Sequence, residues 1–296
     1  MLDRARGALL GTLVGDALGR PFEGAEVGGT ALHDEAVARR METPRAWGHS
    51  DDGEMMLAVA ASLREVGTVD EAHLLATLAA MHEPARGYGK GARAAFAAHA
   101  AGQPWTEAGR VLWPEGSKGN GAAVRVAPIA AWGRDEAEVA ELGRRSALAT
   151  HLHEDATSAA AVVAVAVFRS LSDVPLDGLE GYASPPLARA MAEARELAGA
   201  KLGRAARRLG CGVLAVESVP AALWAVGEGG TVAEIVSRAV RMGGDTDSVG
   251  AIAGAIAGAR HGADAIEPAW RAALEPEALA AVEAFIASCA PHLSRV

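Results

Sequence analysis

An all-α fold is predicted by three observations. Half of the 296 residues are apolar, yet only 4% are aromatic and 35 are glycine, so small side chains that let helices approach closely must fill the interior. Val and Ile fall mostly inside Ala-rich runs of helical spacing, and no segment alternates convincingly with period 2. Helix start and stop signals recur from end to end.

The elements follow in order. An apolar first helix ends at Gly15-Asp16-Ala17-Leu18-Gly19, and Pro21 forces an irregular exit. A second helix begins at Asp51-Asp52 and continues through Glu54-Met55-Met56-Leu57-Ala58. Thr68-Val69-Asp70-Glu71 has the form of a capping box ahead of a helix through about Met81. A glycine-rich turn precedes the apolar run from Ala122 to Trp132. Val139, Leu142, Ser146 and Ala149 line one side of another helix. Leu187, Met191, Ala194, Ala198, Leu202, Ala205 and Leu209 line one side of a single longer one. Thr231-Val232-Ala233-Glu234 is a second capping box; Val232, Ile235, Val236, Ala239 and Val240 form the apolar face behind it, and Gly243-Gly244 stops that helix. Asp247 and Ser248 open a helix in which Gly250, Gly254 and Gly258 leave one face bare, so that another backbone can lie close and bring distant acids together. The least regular stretches are Glu23 to Trp47, Glu83 to Gly91, Gly102 to Gly121 and Ser172 to Pro186. None is long or low in complexity enough to be a free linker, and no internal repeat is present. Residues 1–296 are therefore expected to form a single domain.

Composition excludes several classes. With a net charge of −9 and scattered basic residues, the chain has no stripe for a nucleic-acid backbone. Cys211 and Cys289 are too few for a disulfide framework or a thiolate metal site. The N-terminal residues lack the apolar stretch of a signal peptide, and runs such as Ala159 to Phe168 fall short of the roughly 20 residues a membrane span needs. A soluble, cytoplasmic, monomeric protein is expected.

Two acidic clusters carry the chemistry: Ser50-Asp51-Asp52, and Asp245-Thr246-Asp247-Ser248 behind Gly243-Gly244. Each sets aspartates beside a hydroxyl at the start of an apolar helix. One reading is N-capping, since Asp and Ser are favoured caps and negative charge is welcome at a helix N-terminus. One cap satisfies one helix end, so doubled and spaced pairs ask for more. The other reading is a shared site of hard oxygen ligands for divalent cations such as Mg²⁺ or Mn²⁺, whose two double charges four carboxylates would balance.

Other features are less specific. Glu23, just past the first helix, is either a solvated loop acid or a general acid/base at a pocket rim. Gly116-Ser117-Lys118-Gly119-Asn120-Gly121 is either a plain turn or a set of amides presented to an anion. The two imidazoles of His151-Leu152-His153 would point apart on a helix, which favours one packed and one exposed histidine over a metal pair.

Five segments, in order, resemble the ADP-ribosylglycohydrolase family over nearly the whole chain: Gly15-Asp16-Ala17-Leu18-Gly19, Ser50-Asp51-Asp52, Gly119-Asn120-Gly121-Ala122-Ala123-Val124-Arg125, Thr150-His151-Leu152-His153 and Gly244-Asp245-Thr246-Asp247-Ser248. The resemblance implies a compact, orthogonal all-α bundle with two divalent cations, Mg²⁺ or Mn²⁺, at its centre. It implies that Ser50, Asp51 and Asp52 supply one side of the metal site and Asp245, Asp247 and Ser248 the other. It places catalytic work on Glu23, beside the scissile bond, and on Asp52. Ser117, Gly119, Asn120 and Gly121, with Gly89 and Gly91, correspond to the surroundings of the ADP-ribose phosphates, and His151 to a histidine lining the nucleotide pocket. The implied partner is an ADP-ribosylated protein or small-molecule conjugate, with ADP-ribose as product. The chain departs from the family pattern at Gly53, where Thr is usual, at Ser248 for Thr, at Glu154 for Pro, and at Lys118, where an aromatic is frequent. Gly53 puts the support of the first cluster in question.

The implied reaction is hydrolysis of an α-linked ADP-ribosyl group at its anomeric carbon. Two alternatives compete with it. An all-α nucleotide pyrophosphatase would carry its acids three or four apart along a helix, whereas these sit at helix starts. A non-catalytic ADP-ribose-binding module would not need Glu23. A terpene-synthase DDxxD is excluded by Met55, which stands where the third Asp belongs.

Overall fold

The computed structural model describes the backbone of residues 1–293 and side chains through Cys289. Sixteen α-helices account for nearly all of its regular structure: α1 (Leu2–Gly19), α2 (Ala31–Glu42), α3 (Asp51–Val66), α4 (Glu71–Met81), α5 (Lys90–Ala100), α6 (Trp105–Ala108), α7 (Ala127–Trp132), α8 (Glu136–Leu148), α9 (Glu154–Leu171), α10 (Pro185–Glu196), α11 (Leu202–Leu209), α12 (Ala215–Gly227), α13 (Val232–Arg241), α14 (Thr246–His261), α15 (Pro268–Ala273) and α16 (Pro276–Leu293). Pairing of β type among the described residues is limited to three isolated bridges, so the fold is all-α. No helix among the described residues is long and apolar enough to cross a membrane.

The centre of the molecule is the antiparallel pair α1 and α14. Gly7, Gly11, Gly15 and Gly19 on α1 face Gly258, Gly254, Gly250 and Thr246 on α14 in opposite order. At each of these seven glycines a Cβ would run into the partner's backbone; at Gly250 it would lie 2.6 Å from the Gly15 oxygen. The bare face predicted on α14 is therefore real, and the backbone that lies against it is that of α1, which carries a matching stripe. The second cluster reaches the first through α1. Both helices are buried along almost their whole length, within one continuous core that extends to α9, α12 and α13.

Three other expectations change. The chain caps α4 two residues later than the capping box at Thr68 implied: Asp70 accepts the His73 amide at 2.8 Å. An Asp at this position is as good an acceptor as Thr, and it stands directly before the apolar turn. The long amphipathic helix of 187–209 is two helices, α10 and α11, because the chain turns through Gly199 at a φ of +72°. The irregular stretch before Trp47 contains α2, which buries only His33 and Val37 and so shows no apolar period. The capping box at Thr231 and the stop at Gly243-Gly244 form as expected, with the glycines at φ of +76° and +73°.

Candidate active site

The first cluster is built by its neighbours. Ser50 is the extended N-cap of α3, and its hydroxyl accepts the Asp52 amide at 3.1 Å. Asp16, fully buried on the last turn of α1, crosses to the same helix end and accepts the amides of Ser50 at 2.9 Å and Gly53 at 2.8 Å. A Cβ at residue 53 would stand 2.8 Å from the Asp16 carboxylate, 2.8 Å from His49 Cβ and 2.9 Å from Leu13. Gly53 therefore makes the room in which Asp16 reaches α3, and the support it seemed to put in question is supplied by Asp16.

The second cluster is held by backbone. The Asp245 amide donates to the Cys211 carbonyl at 2.7 Å, and Cys211 is one of three non-glycine residues with positive φ among the described residues, at 52°. Gly24 and Gly244 tie the two loops: the Gly24 amide donates to Gly244 at 2.8 Å and the Gly244 amide to Ala25 at 2.8 Å. That pair fixes Glu23 beside the second cluster. Carboxylate oxygens of Glu23, Asp245 and Asp247 lie within 4.8 Å of one another. Thr246 anchors the α14 start by donating to the Gly19 carbonyl at 2.8 Å.

The clusters meet. The Ser248 hydroxyl donates to Asp52 Oδ2 at 2.7 Å, across 196 residues of chain. Beside this bond lies a cavity of about 450 Å³ whose lining includes the acidic set Glu23, Asp51, Asp52, Asp245, Asp247 and Ser248 together with Gly89, Gly91, Ser117, Gly119, Asn120, Gly121 and His151. Ser50 is the one sequence-predicted site residue outside the lining, because it sits under Asp52 as the cap. A second cavity of about 470 Å³, walled by Leu179, Met191 and Trp224, contains none of the predicted residues.

The glycine side is shaped by two loops. The Asn120 amide donates to the Val213 carbonyl at 3.0 Å and the Ala215 amide to Lys118 at 3.0 Å, which pins the 117–120 loop against the start of α12. Ser117 Oγ accepts the Gly119 amide at 3.1 Å, and Asn120 Nδ2 donates to Asp245 Oδ2 at 2.7 Å. The loop passes through a single 3-10 turn, Asn120–Ala122, rather than running straight into a helix; α7 begins only at Ala127. Gly89 is the N-cap of α5, with no side-chain acceptor for the helix's first amides. Gly91 is bare because the Trp113 ring lies across it. His151 is buried as the packed histidine, while half-buried His153 caps α9.

The electrostatics are those of crowded, desolvated acids. Burial, reinforced by Asp16, Asp245 and Glu23, pushes Asp51 up to about 7. Burial and then Asp51 and Asp247 drive Asp52 well above the carboxylate range. Burial and Asp245 push Asp247 up to about 10. Glu23 is raised by burial and Asp245 against the pull of Arg20. Buried acids that repel one another call for a compensating charge. Hard cations on this all-oxygen donor set fit the site chemically.

Sequence reasoning missed Asp16 as a support, Met55, Lys90 and Val213 in the lining, and Trp113 at the rim. Trp113 is 42% exposed, and a tryptophan in an irregular stretch was the signal available for it.

The sequence profile of the ADP-ribosylglycohydrolases matches residues 1–293. The chain belongs to the ADP-ribosylglycohydrolase family. It is similar to ADP-ribosylhydrolase ARH3 of Danio rerio, with 30% identity over 93% of this chain and 87% of that protein. It is also similar to ADP-ribosylhydrolase ARH3 of Homo sapiens, with 28% identity over 93% of this chain and 90% of the other. The ADP-ribosylarginine hydrolase Tri1 of Pseudomonas putida is 26% identical over 91% of this chain and 73% of its own. A solved structure described as an ADP-ribosylglycohydrolase-related protein complex superposes with a TM-score of 0.75 at 29% identity, covering 97% of this chain and 98% of that one. As a member of this family the chain is a hydrolase acting on ADP-ribosyl groups, and its all-α fold is the family's.

Proposed function

We propose that the protein hydrolyses the α-linkage between the anomeric carbon of an ADP-ribosyl group and its acceptor, a protein side chain such as arginine or serine or another conjugate, releasing ADP-ribose. The observation that carries this reading is the Ser248–Asp52 hydrogen bond, which joins two distant acidic clusters in the lining of one cavity that is also rich in glycine. Asp51, Asp52 and the Ser50 hydroxyl on one side, with Asp245, Asp247 and Ser248 on the other, would hold two divalent cations, Mg²⁺ or Mn²⁺. When bound, the ions would fix the ribose by its hydroxyls and stabilise charge as the anomeric bond breaks.

The chain's own residues divide the remaining work. The glycines at 89, 119 and 121 leave room for a diphosphate, and the uncapped α5 N-terminus offers it amides. Glu23, at the exposed edge and raised by burial and Asp245, moves a proton between the water and the leaving group. The bond from the anomeric carbon to the acceptor breaks, the water oxygen replaces it, and the water proton ends on the acceptor. The transition state has oxocarbenium character, as in other glycosidic cleavage. A site drawing on residues from Glu23 to Ser248 works as one domain.

The test is a panel of ADP-ribosyl conjugates of arginine, serine, glutamate and thymidine, assayed with Mg²⁺ and with Mn²⁺. Turnover of at least one conjugate is expected, lost in Asp51→Ala and Asp247→Ala. Glu23→Gln is expected to lose about 100-fold or more in kcat with cation binding retained. Full turnover in Asp51→Ala and Asp247→Ala would remove the metal assignment.

A further inference from the structure

Arg125 has no role in the reading above, yet it is fully buried and has no ion-pair partner among the described residues. Its Nη2 donates to the Ser146 carbonyl at 2.5 Å and its Nη1 to Thr150 Oγ1 at 2.9 Å. Thr150, 1% exposed, lies in turn 2.7 Å from His151 Nδ1. The proton inventory of this chain is fixed. A guanidinium only donates, so Thr150 Oγ1 receives from Arg125 on a lone pair. The threonine has a single hydrogen, and His151 Nδ1 is its other partner. Were Nδ1 protonated, it would donate to the second lone pair, and the buried hydroxyl hydrogen would be left without an acceptor. Nδ1 is therefore the acceptor, and the ring's hydrogen is on Nε2.

Nε2 faces the ligand side. His151 lines the cavity, and a Cβ added at Gly119 or Gly121 would fall 3.3 Å from a ring atom, Nε2 in the first case and Cε1 in the second. Both positions are bare, so no side chain at 119 or 121 covers the N–H. Burial, and then the Arg125 charge, push the ring down to about 3, so it stays neutral.

We infer that Arg125 and Thr150 are positioning residues that lock His151 in the Nε2–H tautomer, so that a neutral donor meets an oxygen of the substrate's diphosphate at the glycine loop. The diphosphate follows from the function proposed above; the tautomer rests on the geometry alone. A neutral donor binds an anionic oxygen without adding a proton that could leave it, and the buried guanidinium behind it adds favourable field.

The experiment reads both parts separately. Long-range ¹H–¹⁵N correlation spectra of ¹⁵N-labelled protein, with His151 assigned by comparison with His151→Gln, should show Nδ1 unprotonated and Nε2 protonated from about pH 5 to 8. Thr150→Val keeps the shape and removes the hydroxyl; it should mix the two tautomers and weaken ADP-ribose binding, measured by calorimetry, about tenfold. Thr150→Ser should restore both readouts. A protonated Nδ1 in the wild type, or an unmixed tautomer in Thr150→Val, overturns the lock. The expected tautomer in a protein that binds no ADP-ribose overturns the diphosphate assignment and the functional reading beneath it, and leaves the lock standing.

Discussion

The glycine seam between α1 and α14 makes the sharpest quantitative claim about this fold, and Gly250→Ala tests it. A Cβ at 250 would lie 2.6 Å from the Gly15 carbonyl oxygen, 3.1 Å from its carbon and 3.2 Å from Val240 Cγ2. A close carbon–oxygen contact needs about 3.3 Å, so the helices must part by about 0.7 Å. The obstruction is chiefly backbone, which cannot change rotamer, and this puts the cost at the upper end of overpacking, about 3 kcal/mol. Replacing a helical glycine by alanine returns about 1 kcal/mol. The net loss is about 2 kcal/mol, or a fall in Tm of about 4–8 °C. Gly227→Ala is the control: it too is helical, but exposed with open space around the new atom, and its Tm should hold or rise by a degree or two.

The displacement also reaches the site. Gly250 is on the first turns of α14, whose start carries Asp247 and Ser248. Parting by about 0.7 Å would stretch the Ser248–Asp52 bond from 2.7 Å to about 3.4 Å, the limit of a hydrogen bond. Gly250→Ala should therefore lose Mn²⁺ affinity by calorimetry as well as Tm by scanning fluorimetry. A variant as stable as Gly227→Ala, with unchanged cation affinity, would show that the two backbones do not touch.

Three further outcomes follow from the acids and their supports. In chelator, Tm should fall as pH rises from about 5 to 8, because Asp51, ordinarily at 3.8 and pushed to about 7, keeps in the fold a proton that the unfolded chain has released; that stability is lost as pH passes the raised value. Added Mg²⁺ or Mn²⁺ should flatten this slope, and identical slopes with and without cation would argue against a metal site. Asp52→Asn should abolish turnover, yet raise Tm in chelator above pH 7 by removing one of several crowded charges; a lower Tm would mean that the charge itself stabilises the fold. Asp16→Asn turns one acceptor oxygen into a donor facing the Ser50 and Gly53 amides, and should weaken cation binding 10–100-fold without touching the ions; unchanged affinity would reduce Asp16 to a packing residue.

Much of this was legible in the chain. Acids beside hydroxyls at helix starts, and glycines four apart on α14, are short-range patterns, and both survive in the fold. What was not legible depends on partners distant in sequence. The stripe Gly7, Gly11, Gly15 and Gly19 means little until α14 lies against it. Gly53 looked like a defect because its justification, Asp16, is 37 residues away on another helix. The break between α10 and α11 is a single left-handed glycine within an otherwise unbroken period, and α2 buries too little to advertise itself.

The two readings of the acidic clusters can now be separated by asking which groups satisfy the helix ends. At α3 the Asp52 amide goes to Ser50 Oγ, and the amides of Ser50 and Gly53 go to Asp16. The Asp52 side chain caps nothing there, and Asp51 accepts only its own amide. At α14, Asp245 holds the N-cap position but its side chain accepts no cap bond and instead receives Asn120; only Asp247 accepts an amide, that of its neighbour Ser248. Asp52 and Asp245 are thus not required by the helices they begin, and Asp52 is buried so deeply that its charge opposes folding. A fold that needed only caps would have kept Ser50 and Asp16 and lost the rest at a gain in stability. The surplus carboxylates all line one cavity, together with glycine-rich segments, which is where function rather than stability would place them.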